Sequence, residues 1–302
     1  MFSAPGLPTD VFARLPDDLR LAGLHTPWSR ARGGPPLHSF LEGPAFDRAG
    51  RLYCVDVCHG RIFRIARDGA WEVFAEYAGH PNGLKIHRDG RIFVADHHLG
   101  LLAFDPDTGA RAMLADEGPL GRFRGLNDLV FADNGDLYFT DPGESGLDRP
   151  DGRAYRRDAA GHIELLCDGL PYPNGLVLAP GQDVLYVAAT RSLQVLRLPL
   201  HEGRVRRSGV FLQLSGGLAG PDGMAVDAEG GLLVAHEGFG TVWHVSALGE
   251  PLARIRSCAG IRTTNVAFGD DDLRTLYVTE AEHGVILRAR LPVAGRAMYS
   301  HR

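Results

Sequence analysis

NDLVFADNGDLYFTD, residues 127–141, contains the whole pattern from which the fold follows. A polar residue leads an alternating apolar stretch, a turn rich in Asp, Asn and Gly reverses the chain, and a second alternating strand ends in a carboxylate. Alternation of period two is what half-buried strands need, and Asn-Gly between two such runs marks a tight hairpin. The pattern recurs as EGPAFDRAGRLYCVD from Glu42, NGLKIHRDGRIFVAD from Asn82, NGLVLAPGQDVLYVAA from Asn174, DGMAVDAEGGLLVAH from Asp222 and NVAFGDDDLRTLYVTE from Asn265. Successive lead residues are 40, 45, 47, 48 and 43 residues apart, the length of one four-stranded propeller blade.

Six leads therefore predict an all-β, six-bladed β-propeller, with four-stranded antiparallel blades around a central channel. A third strand follows each hairpin, in GRIFRI, GLLAFD, GRAYRR, SLQVLRL, TVWHV and GVILRAR, and a fourth is legible in WEVFAEY, ARAMLAD, HIELLCD and GVFLQL. The last repeat leaves little room for a fourth strand before the C-terminus. An unassigned strand, DVFAR at 10–14, is expected to complete the last blade and so remove the exposed edges of an open arc. Residues 17–38, rich in Pro, Gly and Arg, read as an irregular loop within a single domain spanning 1–302.

Composition narrows the function. At 302 residues and 44% hydrophobic content the chain can bury a large core. Its net charge of −5 arises from 37 acidic against 32 basic residues, with Lys85 the sole lysine and no basic block, so nucleic acid is not an expected partner. The N-terminal MFSAPGLPTD lacks the charged and apolar regions of a leader, and no apolar run approaches the roughly 18 residues of a membrane span. A soluble, cytoplasmic monomer is the expectation. Cys54, Cys58, Cys167 and Cys258 are few for a disulfide framework. Cys54 and Cys58 on one strand would stand roughly 13 Å apart, beyond the roughly 7 Å limit for a bridge, so free thiols are expected.

Blades pack with their first strands innermost, which brings Glu42, Asn82, Asn127, Asn174, Asp222 and Asn265 to the mouth of the channel. For any one of them a plain turn residue is an equal reading. Each repeat, however, already has its own turn, and all six positions hold carboxylates or carboxamides. Oxygen donors of this kind select a hard cation, and two carboxylates would neutralise a divalent ion. The second strands end in Asp56, Asp96, Asp141, Ala189, His236 and Glu280, expected to form an outer polar ring for support and substrate contact.

These residues resemble the regucalcin/gluconolactonase family of six-bladed propellers, through SFLEGPAFD around Glu42, GLNDLVF around Asn127, PYPNGLVL around Asn174, GPDGMAVD around Asp222 and TTNVAFG around Asn265. The resemblance implies that Glu42, Asn174 and Asp222 bind one divalent metal, with Asn127 beside it as a ligand or a substrate contact. Calcium is the ion expected from ligand type, with Zn²⁺, Mn²⁺, Mg²⁺ and Fe²⁺ left open. Relatives like regucalcin place an arginine two residues before the Asn127 equivalent. Gly125 stands there in this chain, with Arg124 and Arg122 nearby.

The resulting expectation is metal-dependent hydrolysis of a lactone, a sugar lactone above all, with Asp222 and Asn127 catalytic. Asn127, Asp128, Arg124, Asn82, His97 and His236 are the candidate substrate contacts; His97 reads equally well as a loop histidine and Arg124 as a solvated charge. Phosphotriester hydrolysis at the same metal site, and a non-enzymatic calcium-binding propeller, are the alternatives. The signatures G-x-S-x-G, H-E-x-x-H and G-x-x-x-x-G-K-[ST] are absent from the sequence, which argues against a serine hydrolase, a zincin or a P-loop enzyme.

Overall fold

The alternating residues of each repeat form a meander of antiparallel strands. In the computed structural model, which describes residues 4–31 and 33–302, blade one consists of Leu41–Phe46, Leu52–Asp56, Arg61–Ile65 and Trp71–Glu76, paired in that order. The inner strands of the next five blades are Pro81–Ile86, Leu129–Phe131, Pro173–Leu178, Gly220–Val226 and Thr263–Gly269. Each inner strand touches the next, and the sixth touches the first, so the molecule is a closed six-bladed propeller. Hydrophobic packing lies mainly between blades. Tyr53, Val55 and Ile62 of blade one meet Leu84, Ile92 and Val94 of blade two, and Leu41, Phe46 and Leu52 meet Ala267 and Tyr277 of blade six.

Asp10–Arg14 supplies the outer strand of blade six, antiparallel to Val285–Arg290. Just before it, Gly6–Pro8 runs parallel to Pro251–Arg256 on the edge of blade five. This three-residue strand has no periodicity to announce it, and Pro251–Arg256 itself alternates too weakly to stand out in the sequence. Residues 17–38 are less irregular than expected. They contain a 3-10 turn, Asp17–Leu19, and a helix, Pro27–Ala31, started by proline at its first position and by Thr26 Oγ1, which accepts the Ser29 N–H at 3.2 Å. Met1–Ser3 and Arg32, which fall within the 1–302 and 17–38 readings, lie outside the described residues. All four cysteines are free.

The chain ends in a strap across the channel, on the face opposite the lead residues. Gly295 N–H bonds Leu273 O at 2.7 Å and Arg296 N–H bonds Val226 O at 3.0 Å. The Arg296 guanidinium reaches Ala179 O at 3.3 Å and Asp133 at 3.2 Å. Tyr299 stacks on Phe131 at 4.9 Å and meets His87 at 5.0 Å, while Arg48 Nε donates to Ser300 O at 2.7 Å. One segment thus contacts all six blades. Tyr299→Ala should destabilise the chain by roughly 3 kcal/mol, read as a lower urea midpoint with the strand signature of circular dichroism retained. An unchanged midpoint would remove the strap from the forces holding the ring.

Candidate metal centre and active site

The lead residues reach the axis through bulges. In five inner strands the register shifts at the lead, between Glu42 and Ala45, Pro81 and Gly83, Pro173 and Leu176, Pro221 and Met224, and Thr263 and Asn265, and such a bulge re-aims the side chain. The glycine after the lead then admits the neighbouring blade. A Cβ on Gly43 would stand 2.6 Å from Asn82 O, and one on Gly175 would stand 2.3 Å from Asp222 O. Asn-Gly and Asp-Gly at these positions are therefore interblade contacts rather than turns. Blade three has Asp128 in place of glycine, and Thr140 Oγ1 makes the link instead, donating to Asn174 O at 2.8 Å.

Glu42, Asn127, Asn174 and Asp222 are all buried. Burial pushes the Glu42 carboxyl up to about 8, with the Asp128 charge adding to the rise and a 2.9 Å bond from Gly43 N–H opposing it. Asp222 is raised well above the ordinary carboxylate range, first by burial, then by Glu42, Glu237 and Asp128, while a hydrogen bond from Asn174 works against the rise. Asn265 Nδ2 donates to Glu42 Oε2 at 3.0 Å and to Asp128 Oδ2 at 3.5 Å. Asn127 is pinned through its backbone, its carbonyl accepting Gly83 N–H at 2.6 Å and its N–H donating to Thr140 O at 3.0 Å. Two buried carboxyls whose charges repel, one of them bonded by the Asn174 carboxamide, are a donor set that fits a hard divalent cation.

The other predicted residues divide. Asn82 is half-buried beside the centre. Asp128 belongs to its floor, bonded by Leu129 N–H at 2.8 Å and paired with Lys85 at 3.6 Å. His97 lies at the mouth against Gly125: a Cβ there would meet His97 Cε1 at 2.4 Å, and φ is +147°. The imidazole thus fills the space beside residue 125 that a side chain would need. Arg124 donates from Nη1 to Asp151 Oδ2 at 2.7 Å and from Nη2 to Asp151 O, so its guanidinium is paired within blade three.

His236 is not a substrate contact in this structure. It is fully buried, its Nδ1 accepts Trp243 Nε1–H at 3.1 Å, and its Nε2 bonds Gly216 O at 3.1 Å. Burial lowers its pKa to about 4, so the ring is neutral. The carboxylates of the outer ring serve as supports, each bonded to nearby backbone. Asp56 pairs with Arg61 at 2.6 Å and accepts Phe40 N–H at 2.8 Å. Asp96 accepts the N–H groups of His98 and Leu99, Asp141 those of Arg124 and Gly125, and Glu280 those of Glu282 and His283. These buried carboxylates tie down the loops that follow or face them. Sequence reasoning missed Lys85 and Glu237 at the centre. The sole lysine, set inside an apolar strand, was the available signal for the first.

Residues 40–282 match the family described as the SMP-30/Gluconolactonase/LRE-like region. A gluconolactonase of Zymomonas mobilis is 31% identical over 280 residues, covering 81% of this chain and 77% of that protein. The lactonase drp35 of Staphylococcus aureus is 29% identical over 234 residues, covering 71% of this chain and 69% of its own length. A calcium-binding protein, regucalcin, of Agrobacterium tumefaciens superimposes with a TM-score of 0.79 over 99% of both chains at 23% identity, which is a likeness of fold.

The raised carboxyls set a pH dependence for the metal-free chain. A group whose folded pKa exceeds its unfolded value of 4.5 stabilises the fold below that value, and the contribution is lost as pH rises through about 8. With chelator present, the melting temperature should fall by roughly 4 °C or more between pH 5 and pH 8, and Glu42→Gln should flatten that fall. A wild-type melting temperature that stays level or rises over this range would contradict the buried carboxyl pair.

Proposed function

Because this chain belongs to the SMP-30/gluconolactonase/LRE-like family, we propose that it is a metal-dependent lactonase that opens a sugar lactone. Its relatives named gluconolactonase and lactonase support the lactonase activity. The observation that carries metal dependence is the buried pair Glu42 and Asp222, in which the Glu42 charge raises the cost of ionising Asp222, with Asn174 bonded to Asp222 and Asn127 buried on the adjoining blade. Glu42, Asn127, Asn174 and Asp222 are the residues that would hold a divalent cation, calcium by ligand type, which when bound would supply Lewis-acid polarisation of the lactone carbonyl.

The chain's own groups orient the reactants. Asp222 directs a water at the carbonyl carbon and takes its proton on a carboxylate oxygen; as the ring C–O bond breaks, that proton passes to the departing ring oxygen, which leaves the open hydroxy acid and returns Asp222 to its carboxylate form. Asn174 holds that carboxylate through its hydrogen bond. The Asn127 side chain, fixed by its doubly bonded backbone, offers an amide donor to the oxygen on which charge accumulates. Asn82 and His97 are the mouth groups suited to the hydroxyls of a sugar lactone.

The test is a hydrolysis screen of aldonolactones, aliphatic lactones and phosphotriesters, run with chelator and with calcium, zinc, manganese or magnesium added back. Aldonolactone turnover should vanish with chelator and return with metal, and Asp222→Asn should lower kcat about 100-fold or more. Turnover confined to phosphotriesters would reassign the substrate. Calcium binding without turnover on any class would leave a binding protein.

A further inference from the structure

Lys85 is the sole lysine of the chain, and it is not on the surface. It stands three residues after the lead Asn82, where blades three, four and five carry Val130, Val177 and Ala225. With them it lines a cavity of about 90 Å³ in the channel. An ammonium among apolar side chains is unfavourable unless a counter-charge holds it. Its Nζ lies 3.6 Å from Asp128 Oδ1 and donates to Leu84 O at 3.2 Å, with the Lys85 side chain 16% and the Asp128 side chain 2% exposed. Its charge also favours ionised Glu42. Glu237, the further carboxylate acting on Asp222, has its own counter-charge in Arg262, 3.8 Å away.

We propose that Lys85 is the fixed internal cation of the metal centre, setting its charge so that one divalent ion, rather than a trivalent one, neutralises it. Glu42, Asp128 and Asp222 are three buried carboxylates: Asn265 bridges Glu42 and Asp128, and the charges of both act on Asp222. Lys85 cancels one of their charges and leaves two. In a water-poor interior an unbalanced unit charge several Å from a bound ion changes affinity by about tenfold or more, so the lysine acts on ion selectivity. It does not touch the reacting atoms and is a positioning residue. This inference rests on the metal reading above.

The test compares Ca²⁺ and Tb³⁺ affinities, by calorimetry and by competition, for the wild type, Lys85→Met, Asp128→Asn and the double variant. Lys85→Met should raise the Tb³⁺-to-Ca²⁺ affinity ratio about tenfold or more. The double variant, which has lost both charges, should return close to the wild-type ratio. An unchanged ratio in Lys85→Met overturns the proposal, and so does a double variant that keeps the altered ratio. If Lys85→Met does not fold, Asp128→Asn carries the test, because it leaves the ammonium uncancelled and should lower the ratio about tenfold; an unchanged ratio there also overturns it. A wild-type chain that binds neither ion overturns the metal reading and this inference with it, whereas normal Ca²⁺ binding with an unmoved ratio sinks the role of Lys85 alone.

Discussion

The approach of each inner strand to the backbone of the next blade is the contact on which the site depends. At Gly43 and Gly175 no Cβ fits between the blades. Any larger residue would push the blades apart and widen the axis. The approach also brings Glu42 of the first blade close enough to Asp222 of the fifth for the two charges to interact, although the chain between them spans most of the ring. Closure holds the arrangement from outside, through Asp10–Arg14 on blade six, and from below, through the C-terminal strap. Local hairpins alone would not keep these side chains together.

Gathering carboxylates in a buried cluster works against folding, because burial and mutual repulsion both disfavour their charged forms. The propeller tolerates this because interblade packing fixes the strands independently of the charges they carry. Tyr53, Val55 and Leu84, for example, are fully buried between blades one and two. Without a cation the cost is met by protonation, since the Glu42 carboxyl is raised to about 8 and Asp222 is raised as well. Such an arrangement gains most from a ligand that brings positive charge, which is the physical reason a cation-dependent chemistry suits this axis.

The repeat was legible because a hairpin announces itself locally: alternation plus Asp-Gly or Asn-Gly can be read within about 15 residues. The lead residues were legible for the same reason, being in one position of a visible pattern. What the sequence hid depends on three-dimensional partners. His236 ends its strand as a polar residue should, yet its partners Trp243 and Gly216 lie across a turn and in a separate loop. Asp96 and Glu280 looked like site residues because a strand-terminal carboxylate that fastens a loop has the same pattern as one that faces a ligand. Lys85 carried a signal, being the sole lysine and set in an apolar strand, but its partner Asp128 lies on the next blade and is not visible in the sequence around it. Gly6–Pro8 had no pattern at all and pairs because the chain entering blade six must pass the edge of blade five.

The two ends of the channel differ in a way that assigns them different work. The far end is lined by Pro44, Val177, Met224 and Val266 and crossed by the strap, whose hydrogen bonds and aromatic contacts reach every blade. The near end carries the carboxylates and opens toward the loops. The second-strand carboxylates Asp56, Asp96, Asp141 and Glu280 each accept backbone N–H groups of these loops and so fix the loops' course around the near end. Gly125 and His97 illustrate the point: a residue without a side chain in one loop makes room for an imidazole from the neighbouring blade. The loops of adjoining blades are thus fitted to one another at the near end, while the charged groups of the centre are held by the inner strands beneath them.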